Sequence, residues 1–174
     1  MVVLLLAGVA TAELAAMGLP VVVLVAAQGL SVLIWLARSE WPAAERILPI
    51  YIAAVLVQCA HLVEEYLTGF YRALPPIFGS EPWSSSRFLV FNGLWLVVFV
   101  VSAVGLAHKR PFAYLVAVFL ALGGGVANGI GHLALVLRAS GYFPGAYTAV
   151  LTLAFGIALT RRLFLQEPSA GITR

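Results

Sequence analysis

Apolar residues in this chain come in long unbroken runs, not at the spacing of a half-buried helix or strand. Residues 88–107 (FLVFNGLWLVVFVVSAVGLA) carry no charge at all. A helix needs roughly 20 such residues to cross a bilayer, and four further stretches qualify. The pattern predicts spans over about 13–37, 47–71, 88–107, 112–137 and 142–162, hence an all-α polytopic membrane bundle of about five transmembrane helices. Residues 1–165 form this one domain, and 166–174 a polar tail. The first 37 residues are uncharged apart from Glu13. As one helix they would measure about 55 Å, so either a long helix overhangs the bilayer or Gly18-Leu19-Pro20 breaks the run. A signal peptide ending at Ala10-Thr11-Ala12 is the weaker reading, because no Lys or Arg precedes the apolar run.

Composition agrees. Hydrophobic residues make up 63% of the chain and charged residues 10%, against roughly 25% charged in a soluble domain; mean hydropathy is +1.05. Lipid must therefore be the outer solvent. The ten basic residues stand at span ends without interleaved aromatics, which excludes nucleic acid as a partner and marks topology. Arg38, Arg46, Lys109, Arg110, Arg161, Arg162 and Arg174 fall on one side, and Arg72, Arg87 and Arg138 on the other. The majority predicts the cytoplasmic face. The C-terminus is then cytoplasmic and the Pro-rich loop 74–87 external, in a multi-pass protein of the cell membrane. Trp35, Trp41 and Trp83 read as interfacial belt residues. Cys59 is the only cysteine, so neither a disulfide nor a thiolate cluster forms within one chain.

Three of the spans carry polar residues that oil penalises: His61, Glu64 and Glu65; Asn92; and Asn128 with His132. A charge at bilayer depth costs about 2.5 kcal/mol or more and nearly always faces the bundle interior. Two adjacent glutamates must share a proton, pair with histidine or bind a cation. At about 100° per residue, Gln58, His61, Glu64, Glu65, Thr68 and Arg72 lie within an arc of roughly 120°. Asn128 and His132, at i and i+4, share a face with Gly125. Counted from the outer span ends, His61 and Asn128 lie about ten residues deep, Glu65 and His132 about six or seven, and Asn92 about five. These depths coincide on antiparallel neighbours and predict one site in the outer-leaflet half. Gly125 and Gly129 form a small-xxx-small pair, which admits another backbone closely. Glu13 reads as a helix-end residue or as one more ligand.

The string His61-Leu62-Val63-Glu64-Glu65, followed by Thr68-Gly69-Phe70, Phe91-Asn92 and Asn128-xxx-His132, resembles the HXXEE-motif family of bacterial integral membrane proteins. The resemblance runs from about residue 50 to 140. It implies a common site at His61, Glu64, Glu65 and His132 and names no reaction. Intramembrane proteases of prenylated proteins are similar in ingredients, although Gly69 stands where they carry an Arg. The five-helix sterol isomerase fold is similar in its buried His, Glu and Asn.

Two imidazoles and one or two carboxylates suit a divalent metal, zinc or iron, with a position left open. His61, Glu64, Glu65 and His132 are the candidate ligands. The glutamate left over is the candidate base, and Asn92 and Asn128 would polarise a carbonyl. The expected function is a metal-dependent hydrolase-type reaction on a lipophilic substrate that arrives through the membrane lipids. A metal-free alternative uses Glu64 or Glu65 as the acid of a lipid or terpenoid isomerase or cyclase, with Tyr66, Phe91 and Trp95 facing a carbocation. A non-enzymatic proton or cation pathway, or a small-ligand binding protein, is the third class. The apolar inner halves of the spans argue against a conduit.

Overall fold

The computed structural model describes residues 2–165, with side chains from residue 7. The expected cytoplasmic tail at 166–174, Arg174 included, lies outside the described residues. Helices α1 (Val2–Met17), α2 (Val22–Ala37), α3 (Ala44–Thr68), α4 (Phe70–Ala73), α5 (Ser85–Ala107), α6 (Pro111–Phe119), α7 (Asn128–Ala139) and α8 (Ala146–Phe164) follow in order. A wide π-helical segment, Leu120–Ala127, joins α6 to α7 without a break. Among the described residues, five helices are long and apolar enough to cross a membrane: Leu19–Ala37, Ala44–Thr68, Ser85–Ala107, Pro111–Ala139 and Ala146–Phe164.

The opening run is broken where glycine and proline permit it. Gly18 adopts φ 73°, a left-handed value open to glycine, and Leu19–Val21 forms a 3-10 turn. Glu13 accepts a hydrogen bond from Gln28. In a straight helix those residues would stand about 22 Å apart, so α1 folds back along α2. Ala10-Thr11-Ala12 stands inside α1.

The continuous helix Pro111–Ala139 is the centre of the bundle: 72% of its apolar window is buried, against 17–28% for the other four spans. Its glycines explain how. A Cβ on Gly125 would stand 2.4 Å from Gly156 Cα, and one on Gly129 would stand 2.5 Å from Leu153 Cβ. The backbone admitted by this small-residue pair is therefore that of α8.

At the end where α3 begins, Trp41 is 1% exposed and stacks on Tyr114 at 5.3 Å. Trp83, 6% exposed, donates to Met17 O at 3.0 Å. Both are core residues and not belt residues, because the loops that carry them fold these two rings inward. The opposite end carries the Gly18 turn, the segment 69–84 and the turn 140–145, and the polar residues gather beneath it.

Candidate functional site

His61, Glu64 and Glu65 occupy the last turns of α3, which Gly69 terminates at φ 82°. His61 and Glu65, one turn apart, point into the bundle and are buried, as is His132 of α7. Glu65 Oε1 lies 3.1 Å from His132 Nε2 and 3.4 Å from His61 Nε2. The two imidazole rings meet edge to face, centroids 4.8 Å apart, and Phe70 stacks on His132 at 5.1 Å. One ligand atom from each of His61, Glu65 and His132 lies within 4.8 Å of the others. Among the described residues, the imidazoles facing the Glu65 carboxylate are these two.

Glu64 is directed elsewhere. Its carboxylate sits across the N-terminus of α8, accepting from the backbone N–H groups of Tyr147 at 3.1 Å and Thr148 at 2.7 Å. The Thr148 hydroxyl and the Tyr142 hydroxyl, the latter at 2.8 Å, donate to it as well. An anion there satisfies amides that the helix cannot pair internally and meets the positive end of its dipole. Tyr142 lies in the turn between spans, and its phenol is raised above the ordinary tyrosine range, first by partial burial and further by its bond to Glu64.

These contacts fix the protons of His61. Thr148 spends its single hydroxyl proton on Glu64, so at 2.9 Å it can only accept from His61 Nδ1–H. Nε2 then faces the centre of the site, where the Asn128 amide nitrogen lies 2.8 Å away. In the neutral ring Nε2 carries the lone pair and accepts from the Asn128 N–H. His132 differs: Nε2 faces Glu65, while Nδ1 is buried without a partner among the described residues.

Gly145 closes the site. It adopts φ 87°, and a Cβ there would stand 2.5 Å from His132 Cε1 and 2.9 Å from Glu65 Cγ. Beside the trio opens a cavity of about 450 Å³, lined by Glu65, Asn92, Asn128, His132, Gln58 and a larger number of apolar residues. Asn92 is on its wall, and its amide N–H₂ donates to Phe88 O at 2.9 Å. Of the three aromatics named for a carbocation, Phe91 lines this cavity; Trp95 lines a second one, and Tyr66 stacks on Tyr71. Arg72 bonds the Tyr71 hydroxyl at 2.7 Å and covers its ring, away from Glu65. Glu13 belongs to another cluster, with Gln28 and Trp95.

Thr148, Tyr142 and Gly145 are site residues that sequence reasoning did not single out. Thr148 reads as an ordinary hydroxyl in an apolar span, and Gly145 after Pro144 as a helix-start signal.

The fold and site define a polytopic helical membrane protein with a buried His/Glu cluster between its helices. The family model described as "protein of unknown function with HXXEE motif" matches residues 52–159, well over half of the chain, and the chain belongs to that family. No curated protein and no solved structure matches it significantly.

Proposed function

We propose that the chain is a membrane-embedded metalloenzyme acting on a lipophilic substrate, with His61, Glu65 and His132 as the ligands of a zinc or iron ion. The carrying observation is the chain of hydrogen bonds Glu64–Thr148–His61. It holds the imidazole by Nδ1 and aims Nε2 at the buried carboxylate, the arrangement by which outer hydrogen bonds orient metal-binding histidines. The donor set fits: two imidazoles and one carboxylate suit either metal. The 3.1 and 3.4 Å separations lie close to the roughly 3.3 Å expected between ligands at about 2.0–2.1 Å in a tetrahedron. A cation also answers the charge of Glu65 in oil.

A divalent ion held there would supply Lewis acidity for a hydrolase-type reaction. Glu65 would be spent as a ligand, and Asn92 and Asn128, on the cavity wall, would orient a substrate carbonyl. Glu64 is a positioning residue acting through Thr148. The cavity's apolar lining supports a substrate that enters from the bilayer. The charge bias of the loops supports a site in the outer-leaflet half of the cell membrane and a cytoplasmic C-terminus.

Elemental analysis of detergent-purified protein, beside His61→Ala and His132→Ala, tests the reading. Stoichiometric zinc or iron in the wild type, lost in both variants, is the expected result. A folded, metal-free wild type that takes up neither metal overturns it. Metal-free acid–base chemistry would then lead, on the strength of the direct Glu65–His132 contact.

A further inference from the structure

A second cavity, of about 540 Å³, lies between α1, α2, α5 and α6. It shares Phe91 with the first and none of the metal-site residues. Its walls are almost wholly apolar, with Val9, Leu94, Val98, Leu115 and Val116 among them. One buried polar cluster interrupts them, beside Ser31, which donates to Ala27 O, and the exposed Arg87, two turns along α5 from Trp95. Glu13, 6% exposed, accepts from Trp95 Nε1 at 2.8 Å and from Gln28 Nε2. Gln28 is 4% exposed, and its Oε1 has no partner among the described residues.

A buried amide oxygen left unpaired costs about 1–3 kcal/mol, and turning the amide over does not cure it. With Glu13 ionised, the turned oxygen would face a carboxylate. With Glu13 protonated, it would accept the new O–H and leave the amide N–H₂ unpaired instead. One hydrogen-bonding position on Gln28 stays open in every arrangement.

We propose that this cavity binds a lipophilic alcohol, its apolar body against the walls and its hydroxyl on Gln28. A hydroxyl both donates and accepts, so it completes the cluster whichever way Gln28 and Glu13 are protonated. A carboxylate head seated on Gln28 would meet Glu13 as a like charge, with Arg87 two turns away along α5 from Trp95. An alkane would leave Gln28 unpaired, and an alcohol is a cheap polar group to bring in from a bilayer. The volume falls within the range of small-molecule sites, about 300–1,000 Å³.

The test is photolabelling of the detergent-purified full chain with a hexadecanol carrying a mid-chain diazirine. Saturable labelling of α1, α2, α5 or α6 peptides is expected. Tetradecanol should compete about tenfold better than tetradecane or tetradecanoic acid, and Gln28→Leu should weaken labelling about tenfold. Equal competition by the alkane or the acid overturns the proposal and makes the cavity a non-selective lipid groove. So does undiminished labelling of a folded Gln28→Leu variant. If that variant does not fold, the competition series on the wild type decides alone.

Discussion

Glu64 and Glu65 are neighbours in the chain, yet their carboxylates serve different helices: Glu64 binds the first turn of α8, and Glu65 binds His132 of α7. The pair acts as a junction, tying the end of α3 to both partners. Two negative charges that adjacency would set against each other are thereby parted, one to backbone amides and one to imidazoles.

Charge-neutral substitutions should separate the two roles. Glu65→Gln removes the carboxylate that both histidines face and should abolish stoichiometric metal binding. Glu64→Gln keeps an acceptor but presents an amide N–H₂ to donors already there. It should cost about 0.5–2 kcal/mol of stability, the value of a helix cap, and weaken metal affinity about 10–100-fold without abolishing it. Metal titration and thermal unfolding of each variant check this. Equal metal loss in both would mean Glu64 is itself a ligand.

Thr148 is the most specific probe of the hydrogen-bond chain. Thr148→Val keeps the shape but leaves His61 Nδ1–H without its acceptor. Metal affinity should fall about 10–100-fold, and Thr148→Ser, which restores the hydroxyl, should recover most of it. A purely packing role predicts the reverse order, with valine tolerated better than serine.

Gly145 and Gly69 both adopt left-handed backbone, with φ 87° and 82°, and differ in what surrounds them. Gly69→Ala meets open space and should cost about 1–2 kcal/mol, the strain of φ alone. Gly145→Ala carries the same strain and also drives a methyl group against His132 and Glu65. It should be the more damaging by at least about 1–3 kcal/mol and should disturb metal binding, which Gly69→Ala should spare. Unfolding curves of the two variants measured side by side decide it.

The sequence shows the parts of this molecule that lipid dictates and hides those that depend on packing. Runs of about 20 apolar residues mark the spans because a helix pairs all its backbone groups within one segment, as oil requires. The convergence of His61, Glu65, Asn128 and His132 is legible because helical phase and depth are arithmetic on the chain. The task of Glu64 is not, since two of its four donors are backbone amides 83 and 84 residues away, and an amide has no sequence signature. The break at Gly18 is permitted by Gly-Leu-Pro but decided by Glu13 meeting Gln28. The burial of Trp41 depends on Tyr114, 73 positions distant, which local patterning cannot see.

Orientation in the membrane is open to a direct chemical test, because the chain has one cysteine, Cys59, within α3. Ser80 lies at the end of the bundle that holds the site, and Lys109 follows α5 at the other end. In a Cys59→Ala background, Ser80→Cys should react with a membrane-impermeant maleimide on intact cells. Lys109→Cys should react only after the membrane is permeabilised. This follows from six basic residues at the Lys109 end against three at the other, among the described residues. The reverse pattern would put the cavity of Glu65 and His132 in the inner leaflet half, so that its lipophilic substrate enters from the cytoplasmic side.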